Sequence, residues 1–126
     1  MVIVRASEVP PIISAPPYVR RGRLLLSPLL QPEHVRGFAS GLVHIPPGER
    51  STLHFHDQAD EVWIVASGEG TATVGSDEIT LGPDTMVLVP KKVPHQIFCR
   101  GKEDLKVFFV YVPAGPESTY IEGRLP

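Results

Sequence analysis

Three histidines and one glutamate, His54, His56, Glu61 and His95, carry the most specific chemistry in this chain. Imidazole nitrogens with a carboxylate oxygen and no thiolate make a donor set for Fe(II), Mn(II), Ni(II), Cu(II) or Zn(II). His54 and His56 stand two apart. On an extended Thr52–His56 segment both rings therefore face one way, with Leu53 and Phe55 facing the other. Asp57-Gln58-Ala59-Asp60 is polar and turn-forming, and Glu61 then opens the apolar run Val62-Trp63-Ile64-Val65-Ala66. A tight hairpin there sets the Glu61 carboxylate beside the two rings. His95 follows Pro94, opens the run Gln96-Ile97-Phe98-Cys99, and supplies a fourth donor. His34 has no such company and reads as an ordinary surface or core histidine.

The consequences depend on coordination geometry. A tetrahedral zinc ion has its positions filled by four such ligands, as in a structural site. An octahedral ion keeps about two positions open for water, oxygen or a chelating substrate. A β-rich scaffold is held by its own sheets, so an open, reactive centre is the expectation. Strand alternation from Glu61 sends Trp63 and Val65 inward, and from His95 sends Ile97 and Cys99 inward. Possible pocket residues are then Trp63, Cys99, Gln96 and Tyr111, with His44 as a hydrogen-bonding partner behind a ligand. Glu61 is the one candidate acid–base group, should it leave the metal. Trp63 and Cys99 also read as core packing.

The elements that must position these groups are short strands. Fourteen prolines and eleven glycines without a repeat, in a 126-residue chain, indicate many turns. The length suits one domain, and 42% hydrophobic with 21% charged residues is ordinary for a globular protein. A formal charge of −2 and a pI near 6.2 give no basic field for nucleic acid or anionic membrane. Cys99 is the sole cysteine, so no intrachain disulfide forms. No stretch approaches a membrane span, and the start, Met1-Val2-Ile3-Val4-Arg5, lacks a secretory apolar region. A cytoplasmic location is expected.

In chain order, Val2–Ala6 reads as a short strand. Ser7–Pro17 holds four prolines, which exclude it from a sheet interior and leave it to wrap the domain or reach another subunit. Arg20-Arg21-Gly22-Arg23 reads either as a solvated strand start or as a clamp for an anion or substrate carboxylate. Gln31–His34 is a polar connection. Phe38–Ile45 is a strand, closed by a type II turn at Pro46-Pro47-Gly48-Glu49. Further strands are expected at 71–74, 79–81, 86–89, 95–99 and 105–112, about ten in all. Leu105, Val107, Phe109 and Tyr111 share one face of the last strand. Lys106, Phe108, Val110 and Val112 share the other, which needs cover. A homodimer supplies it. The tail after Pro113 looks loosely structured.

The spacing Gly48-x5-His54-x-His56-x4-Glu61-x6-Gly68 resembles the first motif of the cupin superfamily. The second cupin motif, G-x5-P-x-G-x2-H-x3-N, is matched at Pro90 and His95. Asp84 and Lys92 stand where its glycines are common and Cys99 where its asparagine is, so the loop before His95 is expected to differ. The resemblance spans roughly residues 37 to 112. It implies an all-β fold, a double-stranded β-helix or jelly-roll barrel. The chain is then a single domain over 1–126: an N-terminal arm with the first strands (1–36), the barrel proper (37–112) and a tail (113–126). It implies His54, His56, Glu61 and His95 as metal ligands, and a homodimer.

Small single-domain members of that family include dioxygenases. The leading functional reading is therefore dioxygenase-like oxidation of a chelating small-molecule substrate, with Fe(II) or Mn(II) favoured and Zn(II), Ni(II) or Cu(II) possible. The alternatives are a non-redox isomerase, epimerase, decarboxylase or lyase using the metal as Lewis acid, or a small-ligand-binding protein without catalysis.

Overall fold

Apolar residues at alternate positions build nearly every element of this chain. The computed structural model describes residues 1–126. Its strands are β1 (Ile12–Ile13), β2 (Arg21–Leu26), β3 (Ala39–Ile45), β4 (Asp60–Ser67), β5 (Gly70–Val74), β6 (Asp77–Leu81), β7 (Thr85–Val89), β8 (His95–Cys99) and β9 (Leu105–Val112). A one-turn helix, α1 (Ser118–Ile121), follows. Six strands pair in the order β1-β2-β3-β9-β4-β7, and three in the order β6-β5-β8. Every pairing is antiparallel. The expected all-β architecture is present. The expected closed barrel is not, because no ladder joins the two sheets. Outside the ladders there are only isolated bridges, Arg50 to Phe98 and His54 to His95.

The core lies between the two inner faces. Ala39, Ile45, Trp63, Val65, Val107 and Phe109 of the large sheet cluster with Ala72, Leu81, Ile97 and Cys99 of the small one. The last strand splits as its pattern requires: Leu105, Val107, Phe109 and Tyr111 are buried, and their neighbours are not. The same alternation buries Glu61, Trp63 and Val65 on β4, and His95, Ile97 and Cys99 on β8. Two polar side chains thus enter an apolar interior simply by parity. The turn at Pro46–Glu49 also forms, with Gly48 at φ 78° and the Glu49 N–H donating to the Pro46 carbonyl over 3.0 Å.

Three expectations are corrected. Val2–Ala6 is not a strand, and a single 3-10 turn occupies Ala6–Glu8. Of the two readings of the proline-rich arm, the first holds, since it wraps its own domain: β1 pairs with the edge of β2, and the Val9 carbonyl accepts from Arg23 Nε over 2.7 Å. Thr52–His56 keeps its alternation, yet only His54 pairs, exchanging backbone hydrogen bonds with His95. Before His95 the chain keeps glycine-like backbone without glycine. Asp84 (φ 63°) and Lys92 (φ 69°) adopt the left-handed backbone that glycine takes easily, and the Lys92 N–H donates to the His56 carbonyl over 2.7 Å.

The third correction concerns the tail, which is docked. Gly123 (φ 79°) and Arg124 end α1 by donating to the carbonyls of Tyr120 and Thr119, a Schellman cap. Buried Glu117 accepts from Ser27 Oγ over 2.9 Å and from the Gly115 N–H. Tyr120 joins the core, its ring 5.6 Å from that of Phe109. One turn is too short for helical periodicity to announce it, and its partners lie far off in sequence.

On the outer face of the large sheet, exposed Met86, Leu88 and Val112 stand with Val62, Ile64, Phe108 and Val110. No helix is long and apolar enough to cross a membrane. If the tail is an integral part of the core, Tyr120→Ala should cost on the order of 3 kcal/mol. The shift in urea midpoint measures this, and an unchanged midpoint would show that the docked tail contributes nothing.

Candidate metal centre

Each of the four donor side chains is placed by a separate backbone device. Glu61 is the first inward residue of β4 and His95 the first of β8. His54 is fixed by its bridge to His95, and His56 by the bond from Lys92 to its carbonyl. Leu53 and Phe55, between and beside them, point to solvent. The ligand atoms of all four lie within 4.8 Å of one another. Ring centroids are 5.0 Å apart for His54 and His56, and 4.5 Å for His54 and His95.

The proton positions follow from hydrogen bonding. His95 Nδ1 lies 2.9 Å from the Val93 carbonyl, and His54 Nδ1 lies 3.0 Å from the Thr52 carbonyl. A carbonyl only accepts, so these nitrogens carry the protons and each Nε2 presents a lone pair. This is how metal-binding imidazoles are usually oriented. His56 Nε2 and His95 Nε2 stand 3.3 and 3.2 Å from Glu61 Oε1. They are close by distance, yet the alignment of a hydrogen bond is missing, and all three buried atoms lack a hydrogen-bonding partner. Buried polar atoms without partners are rare and costly. Three of them crowded together, in an acceptor-rich set, fit a divalent cation.

The charge states agree. Burial alone would raise the Glu61 carboxyl, but the facing His56 and His95 rings outweigh it and hold it at about 2. Burial, then the neighbouring His95, lowers His54 to about 4. An ionised carboxylate and a neutral imidazole are the forms a metal ion binds. The chain therefore contains a buried cluster of three histidines and one glutamate able to chelate a divalent metal.

A cavity of about 30 Å³ adjoins the cluster, with His54, Glu61 and His95 in its wall. Of the possible pocket residues, Trp63 and Tyr111 line it. The Trp63 ring stands edge-on to His95 at 5.6 Å, and the Tyr111 ring lies 4.9 Å from His56. The other three are elsewhere. His44 has the opposite parity to Val43 and Ile45, so it faces outward, 3.7 Å from Asp104 and far from any ligand's supporting role. Gln96 is likewise off the inner face of β8, and its amide donates to the Ser51 carbonyl over 2.8 Å. Cys99 does point inward, but it packs in the core and its thiol donates to the Glu103 carbonyl.

The wall includes residues that the sequence did not single out for this role. Tyr120 and Pro126 come from the tail, and Arg20 comes from the residue before β2. Alternation splits the arginine cluster, since Arg20 and Gly22 are buried while Arg21 pairs with Asp104 on the outside.

Comparison with known proteins gives one consistent result. The family described as Cupin domain matches residues 41–111. The L-ectoine synthase of Bordetella avium is 29% identical over 108 residues, covering 84% of this chain and 80% of that protein. A predicted oxalate decarboxylase from Thermotoga maritima superposes with a TM-score of 0.75 at 23% identity, covering 90% of this chain and 100% of that one. KdgF from Halomonas sp. superposes with a TM-score of 0.77 at 15% identity, covering 93% and 97%.

His54→Ala and His95→Ala should each lose most of the bound metal after identical loading and desalting, measured as ions per chain by mass spectrometry. His44→Ala should retain it. Equal occupancy in all three would remove the assigned cluster.

Proposed function

The chain belongs to the cupin domain family, and on that premise we propose that it is a metal-dependent enzyme of the non-redox kind. It would act as a decarboxylase, lyase, epimerase or isomerase on a small oxygen-rich molecule. The observation that carries this reading is the company the metal cluster keeps. The same cavity presents two phenols, Tyr111 and Tyr120, and one guanidinium, Arg20. Burial, then the nearby Glu61 charge, pushes both phenols above their ordinary range, so their hydroxyls remain protonated. Protonated hydroxyls and a cation stabilise negative charge developing on a substrate oxygen, which enolate and decarboxylation chemistry requires.

A divalent ion held by His54, His56, Glu61 and His95 supplies Lewis-acid polarisation of a carbonyl or carboxylate oxygen. Tyr111, whose ring lies beside that of His56, would donate a hydrogen bond to that oxygen. Trp63, Ile97 and Phe109 keep the cavity apolar, which strengthens each polar contact inside it. Glu61 belongs in the ligand set, since a carboxylate held at about 2 is a poor base at neutral pH. The dioxygenase-like alternative has less support: the names of two relatives, an L-ectoine synthase and a predicted oxalate decarboxylase, denote a synthase and a decarboxylase.

The test is turnover without oxygen. Protein reconstituted with Zn(II) or Mn(II) is incubated with a panel of 2-oxo and 2-hydroxy acids under strict anaerobiosis, and products are followed by NMR. Product is expected at the same rate as in air. Tyr111→Phe should lower kcat about 100-fold at unchanged metal content. Product that forms only with matching oxygen uptake would favour the dioxygenase-like reading.

The homodimer belongs to the same proposal. The apolar outer face around Met86, Leu88 and Val112 would be covered by a second copy of this chain, since an exposed apolar sheet face favours burial. Sedimentation should give a dimer at micromolar concentration, and Leu88→Glu should give a monomer. A wild-type monomer would end this part of the reading.

A further inference from the structure

The outward half of the arginine cluster belongs to a larger group. Antiparallel register sets Arg21 of β2 opposite His44 of β3, and His44 opposite Lys106 of β9. Residues paired in this way have Cα atoms about 5 Å apart, so the three form one row across the sheet. Arg23 shares the outward parity of Arg21 on β2 and stands roughly 7 Å further along that strand. This face is turned away from the metal centre, since Val43 and Ile45, on either side of His44, line the cavity.

Like charges set opposite one another weaken a ladder, so such a row is costly to the sheet that carries it. Three permanent cations surround one imidazole here, and a single acid, Asp104, answers them. Asp104 pairs with Arg21 and stands 3.7 Å from His44 Nδ1. Arg23 spends its Nε on the Val9 carbonyl, and neither Arg23 nor Lys106 forms an ion pair. Three cations less one carboxylate leave two positive charges, in a chain whose formal net charge is −2. The His44 side chain is only 22% exposed, so solvent screens little of that field. Burial first, then Arg21 and Arg23, and least Lys106, hold the His44 imidazole below its ordinary range against the opposing pull of Asp104.

A doubly charged anion completes the balance. We propose that Arg21, Arg23, His44 and Lys106 form a binding site for a compact oxyanion, either phosphate or the phosphate group of a small phosphorylated molecule. Guanidinium N–H groups match the oxygens of a phosphate in a planar fork, and the Lys106 ammonium adds a point charge. The site lies across the sheet from the metal cavity, so its ligand is a second molecule and not the substrate. It is also distinct from the apolar surface at Met86 and Leu88 on β7, which β9 and β4 separate from β3. A bound anion favours the charged form of His44. Binding therefore tightens as pH falls through the His44 range, and by reciprocity the anion raises the His44 pKa.

The experiment follows the histidine ring resonances of the Zn(II)-loaded full chain by NMR, while sodium sulfate replaces sodium chloride at constant ionic strength. Sulfate serves as the probe because it keeps both charges over the whole titration, whereas phosphate changes its own. The His44 signal should move saturably with a Kd of about 1 mM or below, and saturating sulfate should raise its titration midpoint by about one pH unit. Arg23→Gln and Lys106→Gln should each weaken binding at least about fivefold. A drift that never saturates, an unmoved His44 midpoint, or wild-type affinity in both variants overturns the proposal. A response confined to His54 and His95 places the anion on the metal and overturns it equally.

Arg23 also holds the arm, so if Arg23→Gln does not fold, Lys106→Gln and the wild-type His44 titration decide. Inorganic phosphate and glycerol phosphate, compared at neutral pH, then separate the two sources. Equal affinity supports the site as one for phosphorylated small molecules, and a preference for inorganic phosphate of at least about tenfold supports the free ion. Binding of neither overturns the assignment of a phosphate ligand.

Discussion

Charge buried without water must find a partner, and this constraint governs the molecule. Glu61, His56 and His95 bring a carboxylate and two imidazole lone pairs into an interior otherwise lined by Trp63, Ile97 and Phe109. The Glu61 oxygen and the two ring nitrogens stand within contact distance, yet none completes a hydrogen bond. A hydrophobic core of this kind tolerates such a group of acceptors when a cation sits among them. The rest of the fold serves that arrangement: antiparallel ladders fix β4 and β8, an extended segment hangs on the edge of β8, and Lys92 takes a strained backbone to hold the His56 carbonyl.

The strained loop shows which features of a sequence matter for geometry. Asp84 and Lys92 occupy positions where glycine is the easy choice, and the backbone nonetheless keeps positive φ at both. The conformational preference of a single residue is worth about a kilocalorie per mole or a little more, less than the hydrogen bonds and packing that over-determine the loop. Lys92 takes that backbone, and its N–H still reaches the His56 carbonyl.

The parts of this structure readable from sequence are those set by parity. Alternation in β4, β8 and β9 assigns the inward faces correctly, and the paired histidines and Glu61 come together because their spacing leaves little choice. Parity also places His44 correctly, opposite to Val43 and Ile45 and away from the cavity, so its expected place behind a ligand fails. It is silent at the tail. Nothing in a one-turn helix reveals that Tyr120 will stack near Phe109 or that Glu117 will meet Ser27, since those contacts exist only after the sheets have assembled. Gly123 forms the cap of that turn, at φ 79°. Arg20 was visible as one of three arginines, but which of them turns inward depended on where β2 begins.

The central claim is that His54, His56, Glu61 and His95 together hold one divalent ion. X-ray absorption at the metal edge of the loaded protein addresses it most directly. The account predicts one ion per chain with three imidazole nitrogens and a carboxylate oxygen at about 2.0–2.2 Å, as is usual for first-row metals. A spectrum dominated by water and scattered carboxylate oxygens, with fewer than two imidazoles, would contradict it.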